Sequence, residues 1–286
     1  MAIVLGPNRY GKAETRLVRV HRDGETHALV DLNVSVALSG DLTGTHLTGD
    51  NSGVLPTDTM KNTVYAFAKE HGVGEPESFA LLLGRHFVNT QPQVHTAKVS
   101  IESYAWDRLG PHSFQRRGDH TRTTVVTVTG DAAQVVSGVT GLVLLNSTAS
   151  EFHGFVRDRF TTLPEATDRI LATAVDAHWR HLADAADWGA SFEGALDALK
   201  TAFVETYSYS LQQTLYAMGR RLLEQRPEVA EVRLALPNKH HYLVDLSPFG
   251  LDNPNEVFIA GDRPYGLIEG TVTRDDVPPA LTEWWL

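Results

Sequence analysis

A lysine, a threonine, an arginine, a glutamine and a histidine are the residues whose types could move protons or form directed hydrogen bonds. Lys12 lies just before the first strand pattern. Its amine becomes a base near neutral pH only if burial or a neighbouring cation pulls its pKa down from about 10.4; otherwise it is a solvated charge. Thr57 follows Pro56 at the start of a helical period, which suits an N-cap whose oxygen accepts a backbone N–H. The same hydroxyl can donate and accept, and the free N–H groups of a helix start attract an anion. Arg169 reads by itself as the partner of Asp168 or Asp176 at a strand end, an exposed arrangement that contributes only ~0 to 1 kcal/mol. Gln212 reads as an exposed helix residue, yet its amide donates and accepts at once. Asn238, Lys239 and His240 close the alternation Val232, Leu234, Leu236, so they stand at the end of a strand. His240 and His241 are adjacent on extended chain and point to opposite faces, which disfavours their chelating one metal ion. No HExxH is present, and His21 and His27 lack a convincing third ligand. Phe152 alone reads as core packing.

The elements that must position these residues follow from periodicity. His27 to Leu38 alternates strictly and predicts a half-buried strand, preceded across Arg22-Asp23-Gly24 by a strand over Glu14 to His21. Gly40 to Gly53 reads as a long loop. Met60, Val64, Phe67 and Ala68 follow helical spacing up to Gly72, and a second helix fits Pro76 to Phe87. Ala97 to Ala105 and the β-branched run Thr121 to Thr129 give two more strands. The second half repeats the order: strands over Val139 to Leu145 and Ile170 to Trp179, helices over Phe192 to Phe203 and Leu211 to Leu223, and strands over Val232 to Leu236 and Val257 to Ile259. Residue identity between the halves is slight. The expected organisation is two α+β domains, residues 1–137 and 138–286, meeting near Ser137. Each would set helices on one face of an antiparallel sheet whose edges must be paired, covered or closed into a barrel.

Composition narrows the chemistry. The chain has 286 residues, 42% hydrophobic and 21% charged, as expected of a globular protein of two domains or one large one. No apolar run approaches the ~20 residues that span a bilayer, and the start MAIVLGPNRYGK is too short in apolar residues for a signal peptide, so the expected location is the cytoplasm. Zero Cys removes disulfides, thiolate zinc sites, iron–sulfur clusters and cysteine nucleophiles together. A net charge of −10 without any long basic run argues against nucleic acid as a partner. A small anion remains compatible where a few cations converge. The Gly40 to Gly53 segment matches neither GxGxxG nor the P-loop, which leaves a flavin or nicotinamide site unsupported.

The candidate residues also lie in five recognisable strings: YGKAETR around Lys12, LPTDTMKNTVYAFAKE around Thr57, FHGFVRDRFTTLPEATDRIL from Phe152 past Arg169, SLQQTLY around Gln212, and LPNKHHY at the end. From about Tyr10 to Gly270 the chain resembles the urate oxidase (uricase) family. That resemblance implies the tunnelling fold, in which the sheets of several subunits close a barrel around a central channel, and a homotetramer with active sites at subunit interfaces. It implies urate and O2 as substrates, 5-hydroxyisourate and hydrogen peroxide as products, and no cofactor. It gives Lys12, Thr57 and His240 a proton relay, and Phe152 the stacking platform for a purine. Arg169 and Gln212 would hold the ring edge, and Asp58 and Leu211 would act mainly through their backbone N–H groups. Asn238 would line the pocket for dioxygen or water. Catalysis by O2 usually needs a metal or organic cofactor. A doubly deprotonated urate can instead supply the electron itself, leaving the protein to deprotonate, orient and stabilise charge. The competing readings are another tunnelling-fold enzyme acting on a purine or pterin, and a purine-binding protein without turnover.

Overall fold

The computed structural model describes residues 1–281. The chain forms β1 (Tyr10–His21), β2 (Ala28–Gly40), α1 (Thr43–Leu47), α2 (Thr57–Glu70), α3 (Pro76–Thr90), β3 (Val94–Tyr104), β4 (Trp106–Arg108), β5 (Phe114–Arg116), β6 (Thr121–Thr129) and β7 (Ala132–Asn146). It continues through β8 (Leu171–His181), α4 (Trp188–Glu205), α5 (Leu211–Gln225), β9 (Val229–Asn238), β10 (His241–Leu243), β11 (Phe258–Ala260) and β12 (Gly266–Thr273). Two compact units result. Of the described residues, the first comprises 1–138, 179–192 and 276–281, the second 139–178 and 193–275.

In the first unit the sheet order is β1-β2-β3-β6, all neighbours antiparallel. The alternating residues Leu32, Val34, Val36 and Leu38 of β2 are buried against Met60 and Val64 of α2 and Phe79, Leu83 and Phe87 of α3. Fully burying each such side chain contributes about 1.5 to 3 kcal/mol, so this face fixes the register: a one-residue slip would turn the whole set to solvent. In the second unit the order is β7-β8-β9-β12, β7 entering it at Val139, and α5 packs on β9 and β12. Val232, Leu234 and Leu236 are buried under Leu211, Leu215, Met218 and Leu222 of the helix. Gly219 permits the close approach of α5 to β12, because a Cβ there would stand 2.5 Å from Val272 Cγ2. No helix among the described residues is long and apolar enough to cross a membrane.

Four expectations need correction. β1 begins at Tyr10, so Lys12 lies inside the strand and not before it. The pairing with β2 shifts register between Lys12 and Thr15, with Glu14 at φ 55°, and this bulge breaks the period of two that marks a strand in sequence. The Gly40 to Gly53 segment contains α1, which buries no residue and so carries no apolar period. β7 starts at Ala132, seven residues before Val139; from Gln134 to Val139 every residue is buried, and a strand covered on both faces does not alternate. The strand near Val257 to Ile259 is β11, which pairs only with β10 in a separate two-stranded ribbon. β12 takes its place beside β9, and its two glycines and exposed positions had hidden it.

Candidate active site

In the first unit the bulge of β1 sets the position of Lys12. Gly11 must lack a side chain, because a Cβ would sit 1.9 Å from the Val36 carbonyl oxygen across the strand pair. The Glu14 backbone N–H donates to Ser35 Oγ at 2.9 Å, satisfying the amide that the bulge removes from the ladder. Tyr10 Oη donates to the Leu55 carbonyl at 3.1 Å and thereby ties the start of β1 to the segment entering α2. Thr57 is the first helical residue of α2, and Pro56 occupies the N-cap position at φ −55° and ψ 137°. The expected capping role of Thr57 is therefore corrected: the cap sits one residue earlier, where proline has no side chain to accept with, and the Thr57 hydroxyl makes no cap bond. It stands in a first turn whose backbone N–H groups have no partner within the helix.

Asp58 accepts from Lys61 and from Asn62 Nδ2, the latter at 3.1 Å. Its carboxyl is held below the ordinary value chiefly by the bond to Lys61 and that lysine's charge, with a smaller pull from Lys12. The charge of Lys12 thus reaches the first turn of α2. With its carboxylate occupied, what Asp58 offers a ligand is its backbone N–H. Lys12 lines a cavity of about 340 Å³ together with Arg9, Ser35, Lys98 and Ser100. Burial, and then the charge of Arg9, hold Lys98 below the ordinary lysine value. A wall with three cations in its lining suits an anion.

In the second unit the residues are joined by hydroxyls. Ser150 is fully buried; its carbonyl accepts from the Arg169 backbone N–H at 2.9 Å and its Oγ accepts from Arg169 Nε at 3.2 Å. Ser150 also bridges Ser208, the Glu151 N–H donating to the Ser208 carbonyl at 2.9 Å. Ser208 Oγ accepts from Thr214 Oγ1 at 2.8 Å, inside the first turn of α5. This knot sets Arg169 beside the N-terminus of α5. There Ser210 is the cap, accepting from the Gln213 N–H, so Leu211 and Gln212 present the first two amides and Gln212 also an exposed side chain.

Arg169 lies with its guanidinium carbon 5.3 Å from the Phe152 ring centroid. Phe152 is held by two backbone bonds to Ala166, at 2.7 and 3.0 Å, and its ring stacks on Phe155. The alternative of an ion pair between Arg169 and Asp168 or Asp176 does not form: Asp168 accepts from Thr148 Oγ1 and Asp176 from the Gly141 N–H, both at 2.8 Å. The segment after β9 is pinned by the Lys239 N–H donating to the Ala172 carbonyl at 2.8 Å and by the Gly261 N–H donating to the His240 carbonyl at 2.8 Å. His240 is held below the ordinary imidazole value first by burial, then by the charges of Arg169 and His241. A neutral imidazole there can accept a proton on one nitrogen and donate from the other. His241 turns instead to the Lys239 carbonyl, 3.0 Å from its Nδ1. Among the described residues no group of three or more His, Asp or Glu is placed to hold a metal ion.

The structure therefore brings Lys12, Thr57 and Asp58 together in one unit, and Phe152, Arg169, Leu211, Gln212, Asn238 and His240 at one end of the other. The model of the family described as Uricase matches residues 8–127 and 135–269. The chain is 50% identical to the uricase of Arthrobacter globiformis over 275 residues, covering 96% of this chain and 91% of that one. The chain belongs to the uricase family. It is also 38% identical to the uricase of Dictyostelium discoideum over 276 residues, 93% of this chain and 96% of that one. The crystal structure of the Arthrobacter globiformis uricase superposes with a TM-score of 0.95 at 49% identity, covering 98% of each chain. The fold is accordingly the α+β tunnelling fold of uricases, with two repeats of the family's unit. Uricase strings had pointed to nine residues but not to Ser150, Ser208 or Lys98. A serine in a loop carries no periodicity, and only the tertiary contacts of Ser150 reveal its work.

Proposed function

We propose that this chain oxidises urate with O2 and water to 5-hydroxyisourate and hydrogen peroxide, without a cofactor. The observation that carries the reading is Arg169: its Nε is occupied by Ser150, its plane lies near the Phe152 ring, and its two terminal nitrogens remain to grip a flat ligand with paired acceptors. Phe152 stacks on the purine, and Gln212 with the Leu211 amide reads the alternating donors and acceptors of its edge. Lys12 takes a proton through the Thr57 hydroxyl, His240 completes the relay, and the Asp58 N–H binds the anion formed. The dianion supplies the electrons that reduce O2 to peroxide, water adds at the oxidised carbon, and Asn238 orients dioxygen or water above the ring. One urate, one O2 and one water give one 5-hydroxyisourate and one hydrogen peroxide.

The assembly belongs to the same proposal. Among the described residues β1 pairs only with β2, and β12 only with β9, so each unit carries a long strand with one open edge that invites pairing. A homotetramer whose sheets close into barrels would cover those edges. Each site would take Lys12, Thr57 and Asp58 from one subunit and the remaining groups from another. The two tunnelling-fold domains would meet near Ser137, and the enzyme would work in the cytoplasm. The deciding experiment mixes metal-stripped protein with urate in air and follows ultraviolet absorbance, oxygen uptake and peroxide. Equal molar consumption of urate and O2 with equal peroxide is expected. Turnover lost on metal removal and restored by one specific metal would overturn the cofactor-free reading; binding without turnover would overturn catalysis.

A further inference from the structure

Ser150 lies outside the residues assigned to urate, yet it touches the most informative of them at two points. Its carbonyl accepts from the Arg169 backbone and its hydroxyl from Arg169 Nε, while the side chain itself is fully buried. An arginine side chain has about four rotatable bonds and loses close to 2 kcal/mol of rotamer entropy when fixed. A ligand that must order that side chain spends part of its binding free energy doing so. The bond at Nε fixes the roll of the guanidinium plane, because Nε lies on one side of the fork and the two terminal nitrogens on the other. The Phe152 ring, 5.3 Å from the guanidinium carbon, supports the plane from a second direction.

We propose that Ser150 is the positioning residue for Arg169 and sets the specificity of the site for a ring that presents two acceptors side by side. The proposal rests on the assignment of Arg169 to substrate. Ser150 makes no contact with urate itself; it acts by holding the fork before the ligand arrives. Its position in the chain helps. Ser150 bridges Ser208, and Ser208 accepts from Thr214 in the first turn of α5, so the group that orients Arg169 is anchored to the helix start that presents Gln212. The fork and the amide are therefore referenced to one buried point. A shift of either would move both relative to Phe152.

The test is a double-mutant cycle on the full-length protein. Ser150→Ala removes the acceptor for Nε and keeps the backbone bridge to Ser208. It should raise the urate KM on the order of ten-fold, about 1.4 kcal/mol, while kcat stays within about two-fold, the pattern of lost ground-state and transition-state binding together. Anaerobic titration should show the same loss of urate affinity. In an Arg169→Gln background the further change Ser150→Ala should alter KM by less than about two-fold, since the group it acts through is gone. Should Ser150→Ala not accumulate as folded protein, Ser150→Cys fills the same space with a weak acceptor and carries the same expectation. Equal KM effects in the wild-type and Arg169→Gln backgrounds would show a general structural role and overturn the proposal, as would an unchanged KM in a folded, active Ser150→Ala protein. A wild-type protein that neither binds nor oxidises urate would take the functional reading down, and this one with it.

Discussion

The stability of the first unit depends on one buried carboxylate, and its removal has a magnitude that follows from geometry. Glu77, in the first turn of α3, is fully buried. Arg122 Nη2 donates to its Oε2 at 2.7 Å, while Thr124 Oγ1 and Ser137 Oγ donate to its Oε1 at 3.0 and 2.6 Å. A serine hydroxyl has one hydrogen, so Ser137 can only accept from His181 Nε2, 2.9 Å away, which fixes the tautomer of that ring with its proton on Nε2. Replacing Glu77 with Gln keeps an acceptor for Thr124 and Ser137 but turns an amide NH2 towards Arg122. Breaking a buried ion pair costs about 3 to 5 kcal/mol. Arg122 retains Glu75 at 2.8 Å, which places Glu77→Gln at the lower end, roughly 3 kcal/mol. Glu77→Leu strands the two hydroxyls as well, each costing about 1 to 3 kcal/mol, and should be clearly worse.

For a chain of this size about 1 kcal/mol corresponds to roughly 2 to 4 °C, so Glu77→Gln should melt about 6 to 12 °C below wild type at equal protein concentration. Differential scanning calorimetry with urea titration reads both quantities. The double variant Glu77→Leu with Arg122→Met should recover part of the loss of Glu77→Leu, because it removes the guanidinium that the single change leaves with Glu75 alone, while the hydroxyls of Thr124 and Ser137 stay without their acceptor. A Glu77→Gln protein that melts within about 2 °C of wild type would refute the reasoning.

Lys12→Met and Thr57→Ala should lower kcat by about 10²- to 10⁴-fold with little change in KM, whereas Arg169→Ala and Gln212→Ala should also raise KM; steady-state kinetics with urate separates the pairs. Because Arg169 is one of the charges that depress His240, Arg169→Gln should move the His240 titration to higher pH, read by histidine NMR; a shift downward would break the proposed proximity. Inactive Thr57→Ala and Arg169→Ala chains, co-assembled and verified by differential tags, should regain about a quarter of wild-type sites if two subunits complete each other's centres, and none if each chain builds its own.

The parts of the fold legible in the sequence are those with a single buried face. Leu32 to Leu38, Ala97 to Ile101 and Thr121 to Thr129 show a period of two or a β-branched run because one side of each strand meets helices, and α2, α3 and α5 show a helical period for the same reason. Legibility fails where a second constraint overrides the first. The bulge at Lys12 hides the start of β1, burial on both faces hides the start of β7, and Gly266, Gly270 and the exposed positions of β12 leave that strand without an apolar signal. Thr57 is the instructive case. Its type and place fit an N-cap, and the proline before it took that position, so a residue suited to a structural task was left with its hydroxyl outside it.

The same contrast separates the two kinds of site residue. Lys12, Arg169 and His240 are visible because they sit in strings whose side chains only chemistry explains. Ser150 is not visible, because a buried hydroxyl with a local partner looks like any other serine until the chain folds around it. The guanidinium of Arg169 is partly buried, and burial alone pulls its pKa down, so a neutral or acidic partner somewhere would ordinarily be expected to hold it. A carboxylate would hold it more strongly, but would also neutralise the charge and occupy the terminal nitrogens. A serine at Nε orients the fork, leaves its charge intact and keeps both terminal nitrogens open. A neutral acceptor at position 150 leaves the charge of Arg169 free to depress His240 and, in the proposed site, to hold an anion at the same time.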